Sequence, residues 1–206
     1  MRFFYDTEFV ERGPAFPLQL ISIGIVAEDG REYFAANADF DPAVATPWLQ
    51  EHVLPLLPPR GEACWKQPAD IAREIVDFVG SEPPEWWADY GAYDHVVLCQ
   101  LFGDMDGLPS DWPMFTRDLR QWWTALGRPD LPPQPPGKHD ALADARWLLR
   151  RWRFLWKYQR ESISRMVDAT AAGLDRSVRH TIREELWRML LPKPLVLQHA
   201  EEENGG

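Results

Sequence analysis

At 206 residues, with 45% hydrophobic and 26% charged side chains, the chain has the composition of one folded α/β domain, which excludes a wholly disordered chain. A net charge of −10 excludes a simple cationic nucleic-acid binder, and no apolar run approaches the length of a bilayer span. The two cysteines, Cys64 and Cys99, are too few for a disulfide framework or a zinc site, and both are expected as small buried thiols. The charge is unevenly placed: residues 1–116 carry 6 basic and 20 acidic side chains, residues 117–160 carry 10 and 4, and residues 161–206 carry 6 and 8. The sequence enters a strand pattern at once, without a leader-like start, so a cytoplasmic protein free of the membrane is expected.

RFFYDTEF (2–9) reads as a strand that ends at the turn-like ERGPAFP, and LQLISIGIVA (18–27) as a second, buried on both faces. Asp29–Gly30 turns the chain into a third strand over 31–40, which makes a hairpin. A short helical stretch follows over 42–57, and PADIAREIVDFVG (68–80) has Ile71, Ile75, Val76 and Val79 at helical spacing with Gly80 as the stop. EWWADYG (85–91) is the next strand, DHVVLCQLFG (94–103) and TRDLRQWWTALG (116–127) are helices, and LPPQPPG (131–137) is a rigid loop. A long helix is expected from Asp140 to about Gln159, with Ala141, Leu142, Ala145, Leu148, Leu149, Trp152 and Trp156 as its buried stripe. Residues 161–191 form a further helical segment interrupted near Gly173, and the EEENGG tail is expected to be disordered. Strands followed by alternating strand and helix point to a mixed sheet with helices packed on it, as a domain over 1–160 and a helical extension over 161–206.

Three short stretches carry chemistry. Asp6 and Glu8 are two apart in a strand, so they project from the same face and repel unless a proton or cation lies between them. A hard divalent ion with oxygen ligands resolves that conflict. Asp94 stands where a strand gives way to a helix, a good helix-start residue and also the usual ligand region of an open α/β sheet. In GKHDALADARWLL, His139 precedes the helix and Asp144 sits in its second turn at the edge of the buried stripe.

Taken together, these five residues resemble the DEDDh family of 3′-to-5′ exonucleases, which have the RNase H-like fold. Asp6 and Glu8 match the first motif, Asp94 the second, and His139 with Asp144 the third. FYDTEF, LISIGIVAEDGREY, GAYDHVVLCQL, FTRDLRQ and HDALADAR are similar to the actinobacterial polyadenylate-specific 3′-exoribonuclease AS family over residues 1–155. The resemblance implies an α/β RNase H-like mixed sheet flanked by helices and two-metal hydrolysis with two Mg²⁺ ions, or Mn²⁺ in their place. It implies Asp6, Glu8, Asp94 and Asp144 as metal ligands and His139 as the general base. It also implies RNA 3′ ends as substrate, a preference for adenylate, and a homodimer. By the same analogy Thr7, Phe9, Leu20 and Ser22 are candidate contacts to the terminal nucleotide. Residues 161–206 depart from the family pattern.

Most of the 11 tryptophans are expected in the core, with Trp48 and Trp65, near loops, as candidates for base stacking. Arg146, Arg150, Arg153 and Lys157 share one helix face, expected to be solvated or to face another subunit. The rival readings are a DNA 3′-exonuclease of the same fold, an HD-type phosphohydrolase built on His139–Asp140, and a non-catalytic RNA-binding protein that retains the fold.

Overall fold

The computed structural model describes residues 1–190; the expected disordered tail lies outside the described residues. The chain forms two compact units, Met1–Trp152 and a second that begins at Arg153.

In the first unit β1 (Arg2–Val10), β2 (Gln19–Ala27) and β3 (Glu32–Asn37) make the expected antiparallel opening, with the β2–β3 turn at Gly30. α1 (Pro47–His52) follows, capped by the Thr46 side chain, which accepts from Leu49 N–H. It is flanked by single 3₁₀ turns at 42–44 and 54–56, so the expected stretch over 42–57 is broken where prolines remove backbone donors. Next come β4 (Trp65–Lys66), α2 (Pro68–Val79), β5 (Glu85–Ala88), α3 (Ala92–Leu101), β6 (Arg117–Asp118) and α4 (Leu119–Ala125). The six strands order β4-β3-β2-β1-β5-β6, with β5 parallel to β1 and the short edge strands β4 and β6 also parallel to their neighbours. The two-residue strands had no legible pattern. This is the expected mixed sheet flanked by helices.

β1 lies in the middle, and its alternation sets the layout. Phe3 and Tyr5 join Ile23, Ile25, Ile71, Ile75, Val97 and Leu98 in a core under α2 and α3, whereas Val76 stays exposed. Phe4 points to the other side, edge-on to Trp152 at 5.7 Å between ring centroids. Trp86, Trp87, Trp112 and Trp152 are buried, as expected for core tryptophans. Trp65 is not an open stacking platform: its indole N–H donates to the Pro58 and Pro59 carbonyls, and Arg60 lies 4.0 Å over its ring. Cys99 is buried and Cys64 half-buried, both as free thiols.

α5 (Ala141–Thr170) contributes its first turns to the first unit and the remainder to the second. Of its expected stripe Ala141, Ala145, Leu148, Leu149 and Trp152 are buried, whereas Leu142 and Trp156 are only half-buried. The helix does not stop near Gln159, because 151–170 contains neither glycine nor proline to end it. The expected boundary at residue 160 therefore falls inside a continuous helix. The break near Gly173 is present, and α6 (Arg176–Leu190) follows, its start capped by the Asp175 carboxylate, which accepts from Ser177 N–H at 2.8 Å. In this second unit Ile163 and Val167 are buried, but Met166, Val178, Met189 and Leu190 are exposed.

The first turn of α5 is seated directly on β2 at Gly24. A Cβ there would stand 2.3 Å from Leu142 N and 2.4 Å from Ala141 C, backbone atoms that cannot yield locally. Since Gly24 is the cross-strand partner of Asp6, that seat brings the start of α5 over the acidic strand. Gly24→Ala is expected to destabilise the fold by about 1–3 kcal/mol, the usual cost of overpacking. Urea unfolding measures this, and an unchanged midpoint would show that the helix start is free to shift.

Candidate active site

The C-terminal half of β1, the loop after β5, the start of α3 and the start of α5 bound a cleft of ≈ 560 Å³. Asp6, Glu8, Asp94, His139 and Asp144 all line it, so the structure brings together the five residues that the sequence singles out. Asp6 and Glu8 project from the same side of β1, opposite Gly24 and Ser22 of β2. Asp94 lies in the first turn of α3. Its Oδ1 accepts from Thr7 N–H (2.9 Å) and from the Thr7 hydroxyl (2.6 Å), which pins α3 to the strand between the two other acids. Asp144 lies in the first turn of α5, one turn earlier than expected. Its Oδ2 accepts from the His139 backbone N–H at 2.8 Å, and its Oδ1 accepts from the Gln134 side-chain amide.

His139 has a positive φ of 70°, a left-handed conformation that turns the chain between the proline-rich loop and α5. Its ring meets Trp48 edge-on, 4.8 Å between centroids at 84°, and Trp48 is stacked on His52 at 4.9 Å and 11°. Trp48, a candidate for base stacking, thus already packs against two histidines. The Asp140 carboxylate caps α5 by accepting from Ala143 N–H at 2.8 Å, and Asp140 is not among the residues lining the cleft. That contact and the sheet architecture rule out the HD-type reading.

Of the expected nucleotide contacts, Thr7 and Phe9 line the cleft. Phe9 is stacked in parallel on Tyr93, centroids 5.7 Å apart. Leu20 and Ser22 do not line it: Leu20 belongs to the core and Ser22 is wholly buried. Adjacency in the sheet put them beside the acids, but Leu20 packs into the core with Phe3 and Tyr5 and Ser22 is covered, so neither side chain reaches the cleft.

Sequence reasoning missed a second layer. Asp89 lines the cleft and accepts from Arg120 Nε (3.2 Å) and from the terminal nitrogens of Arg120 (2.9 Å) and Arg151 (2.7 Å). Arg151 is 2% exposed and lies 3.8 Å over Trp147. A signal was present: Trp147, Leu148 and Arg151 follow Asp144 by three, four and seven residues, which is one helix face.

The electrostatics reflect crowding. Burial, together with the carboxylates of Asp94, Glu8 and Asp144, holds Asp6 well above the usual carboxylate range. Glu8 is pushed up to about 8 by burial and by Asp144 and Asp94. Asp94 is raised to about 6 by burial, against the lowering effect of its bonds to Thr7, and burial raises Asp144 too. Burial lowers His139, with Lys138 and His52 adding to the effect. Such a set resists ionising without cations and so fits divalent metal. One ligand atom each from Glu8, His139 and Asp144 lie within 4.8 Å of one another, a candidate metal-binding cluster.

Residues 1–156 match the family described as the 3′-5′ exoribonuclease Rv2179c-like domain. The chain belongs to this family. It is 51% identical over 158 residues to the 3′-5′ exoribonuclease Rv2179c of Mycobacterium tuberculosis strain H37Rv, an alignment that covers 75% of this chain and 93% of the relative. The protein named 3′-5′ exoribonuclease MT2234.1 from strain CDC 1551 matches equally. Among solved structures, the zinc-bound E. coli exonuclease I–single-stranded DNA complex superposes with a TM-score of 0.52 at 15% identity, over 79% of this chain and 43% of that one. A second exonuclease I structure gives 0.51 at 16% identity, over 76% and 42%. The chain thus spans less than half of these structural neighbours, and at such identity the likeness concerns the fold, an RNase H-like sheet flanked by helices with a helical extension beyond it. Among the described residues no helix is long and apolar enough to cross a membrane.

The raised acids predict a pH signature. Between about pH 4.5 and 8 the unfolded chain has released the proton that folded Glu8 retains, so the metal-free protein loses stability as pH rises through that window. A divalent ion takes the proton's place. The rise in Tm on adding Mg²⁺ is therefore expected to be larger at pH 8 than at pH 5.5, measured by calorimetry against a chelator control. Equal rises would contradict the assignment.

Proposed function

We propose that this protein is a metal-dependent 3′-5′ exoribonuclease that removes nucleotides from RNA 3′ ends with a preference for adenylate, as in the polyadenylate-specific AS group. The observation that carries this reading is the convergence of four carboxylates and a histidine, from three separate elements, in one cleft of a chain 51% identical over 158 residues to a named exoribonuclease.

In this reading Asp6, Glu8, Asp94 and Asp144 hold two Mg²⁺ ions, or Mn²⁺ in their place. When bound, such ions neutralise the acids and stabilise the charge that develops on the scissile phosphate. The side chains do the rest. Thr7 orients Asp94 through two hydrogen bonds, and the His139 backbone N–H orients Asp144. The His139 imidazole takes the proton of the attacking water. Its lowered pKa keeps it neutral and ready to accept at pH 7. The Phe9–Tyr93 stack offers the terminal nucleotide an apolar wall beside the acids. Lys138, Arg120 and Arg151 place positive charge around an otherwise anionic cleft. We further propose a homodimer, and a cytoplasmic setting in keeping with two free thiols.

The test is hydrolysis of labelled oligo(A), oligo(U) and oligo-dA with Mg²⁺, Mn²⁺ or chelator. Stepwise shortening from the 3′ end, fastest on oligo(A) and absent with chelator, is expected. Equal rates on oligo-dA would favour a DNA exonuclease instead. Asp6→Asn should abolish turnover, and His139→Ala should lower kcat by about 10²–10⁴-fold while metal affinity changes much less.

Trp48 should act through His139. Trp48→Ala is expected to lower kcat about tenfold with little change in KM, because a base held off its mark loses orientation. Trp48→Phe, which keeps an edge for the imidazole, should recover most of the rate. A loss confined to KM would instead mean that Trp48 binds RNA directly.

A further inference from the structure

The family match ends at residue 156, and the M. tuberculosis relative is 93% covered by the shared part, so α6 and the part of α5 after residue 156 lie beyond what the family domain requires. Within this second unit a groove of ≈ 500 Å³ is lined by two tryptophans, Trp156 and Trp187, and by Lys157, Arg160, Arg165 and Asp168, among others. The Arg160 guanidinium lies 3.9 Å from the Trp187 ring centroid and 5.2 Å from that of Trp156, which makes a layer of three flat groups. The Trp187 indole N–H donates to the Arg160 carbonyl at 3.2 Å and fixes that layer across the two helices.

The charges in the groove are not balanced. Asp168 accepts from Arg183 at 2.6 Å with Arg179 at 3.9 Å, and Glu161 stands 3.8 Å from Lys157, so both acids of the groove are answered. Among the described residues Arg160 and Arg165 have no carboxylate within ion-pair reach; Arg165 donates only to the Ser162 hydroxyl, at 2.9 Å. Residues 153–190 carry eight Lys and Arg against five Asp and Glu, whereas residues 1–152 carry 13 against 24. An acidic nuclease domain repels a polyanion, and a cationic appendage offsets that repulsion.

We propose that this groove is an accessory site for single-stranded RNA, with a base stacked on the Arg160–Trp187 layer and phosphates at the two unpaired cations, Arg160 and Arg165. Flat groups beside unpaired cations suit a nucleic-acid strand, since every base offers a π-face and every linkage a charge. An acidic peptide would need the cations but not the ring planes. The proposal rests on the nuclease reading only for the identity of the polymer. Its consequence is tighter holding of long RNA, with no part in the hydrolytic step.

The test uses the full chain and fluorescence anisotropy with a labelled 20-nucleotide oligo(A), in chelator so that nothing is hydrolysed, across a salt series. Arg160→Ala/Arg165→Ala is expected to bind about tenfold more weakly, with a salt slope flatter by about 1.4, the yield of two lost contacts to a single strand. Trp187→Ala should weaken binding without flattening the slope, and Trp187→Phe, which keeps a ring and the fold, should retain affinity. Turnover of a four-nucleotide oligo(A) with Mg²⁺ should be unchanged in all three variants. Wild-type affinity and slope in the double variant would overturn the proposal, as would poly-glutamate competing as well as RNA, which would assign the groove to an acidic protein. If the wild type binds the 20-mer through these residues yet hydrolyses no RNA, the groove stands and the nuclease reading falls.

Discussion

Four carboxylates confined to one cleft push one another apart, and much of the domain serves to hold them against that push. Burial removes the water that would screen them, which is why Asp6 and Glu8 resist ionising more than their positions on an ordinary strand would suggest. The restraint comes from groups that are not themselves acidic. Thr7 ties α3 to β1 with two hydrogen bonds to a single oxygen, and Gly24 lets α5 approach its neighbour strand at backbone distance. A folded protein that stores repulsion in this way is poised to accept cations, since binding them relieves a cost already incurred in folding.

Much of this was legible beforehand, for a physical reason. Asp6 and Glu8 lie in a strand with strict alternation, so their common face follows from spacing alone. Asp94 and Asp144 lie at helix starts, where short-range signals are strongest, and the hairpin at Gly30 and the buried stripe of α5 are periodic patterns. What was not legible depends on distant segments meeting. Asp89, Arg120 and Arg151 come from a loop and two helices, and nothing local shows that a buried arginine on α5 will find a carboxylate after β5. The role of Trp48 is of the same kind. Leu20 and Ser22 show the opposite error, in which nearness in the sheet was read as nearness in the cleft. The glycine at 24 was a missed cue, because a glycine inside a strand often marks another backbone close by.

Asp89 stands apart from the other acids of the cleft. It accepts three hydrogen bonds from two guanidinium groups, so its charge is already answered by the protein. Among the described residues its neighbours Asp6 and Asp94 have no guanidinium partner. One cleft thus holds carboxylates of two kinds, those neutralised from within and those left for something from outside. The difference lies in the surroundings, since the side chain is the same.

The order of the site residues along the chain has a further consequence. Asp6 and Glu8 come before the rest of the site along the chain, while His139 and Asp144 follow only after every strand of the sheet has been made. β1 must also wait for β5 to complete its pairing. A growing polypeptide therefore carries β1's share of the cleft well before α5 is made and cannot close it until then. The cleft is thus a feature of the finished domain alone, since no shorter N-terminal stretch of it holds all five of the side chains that meet there.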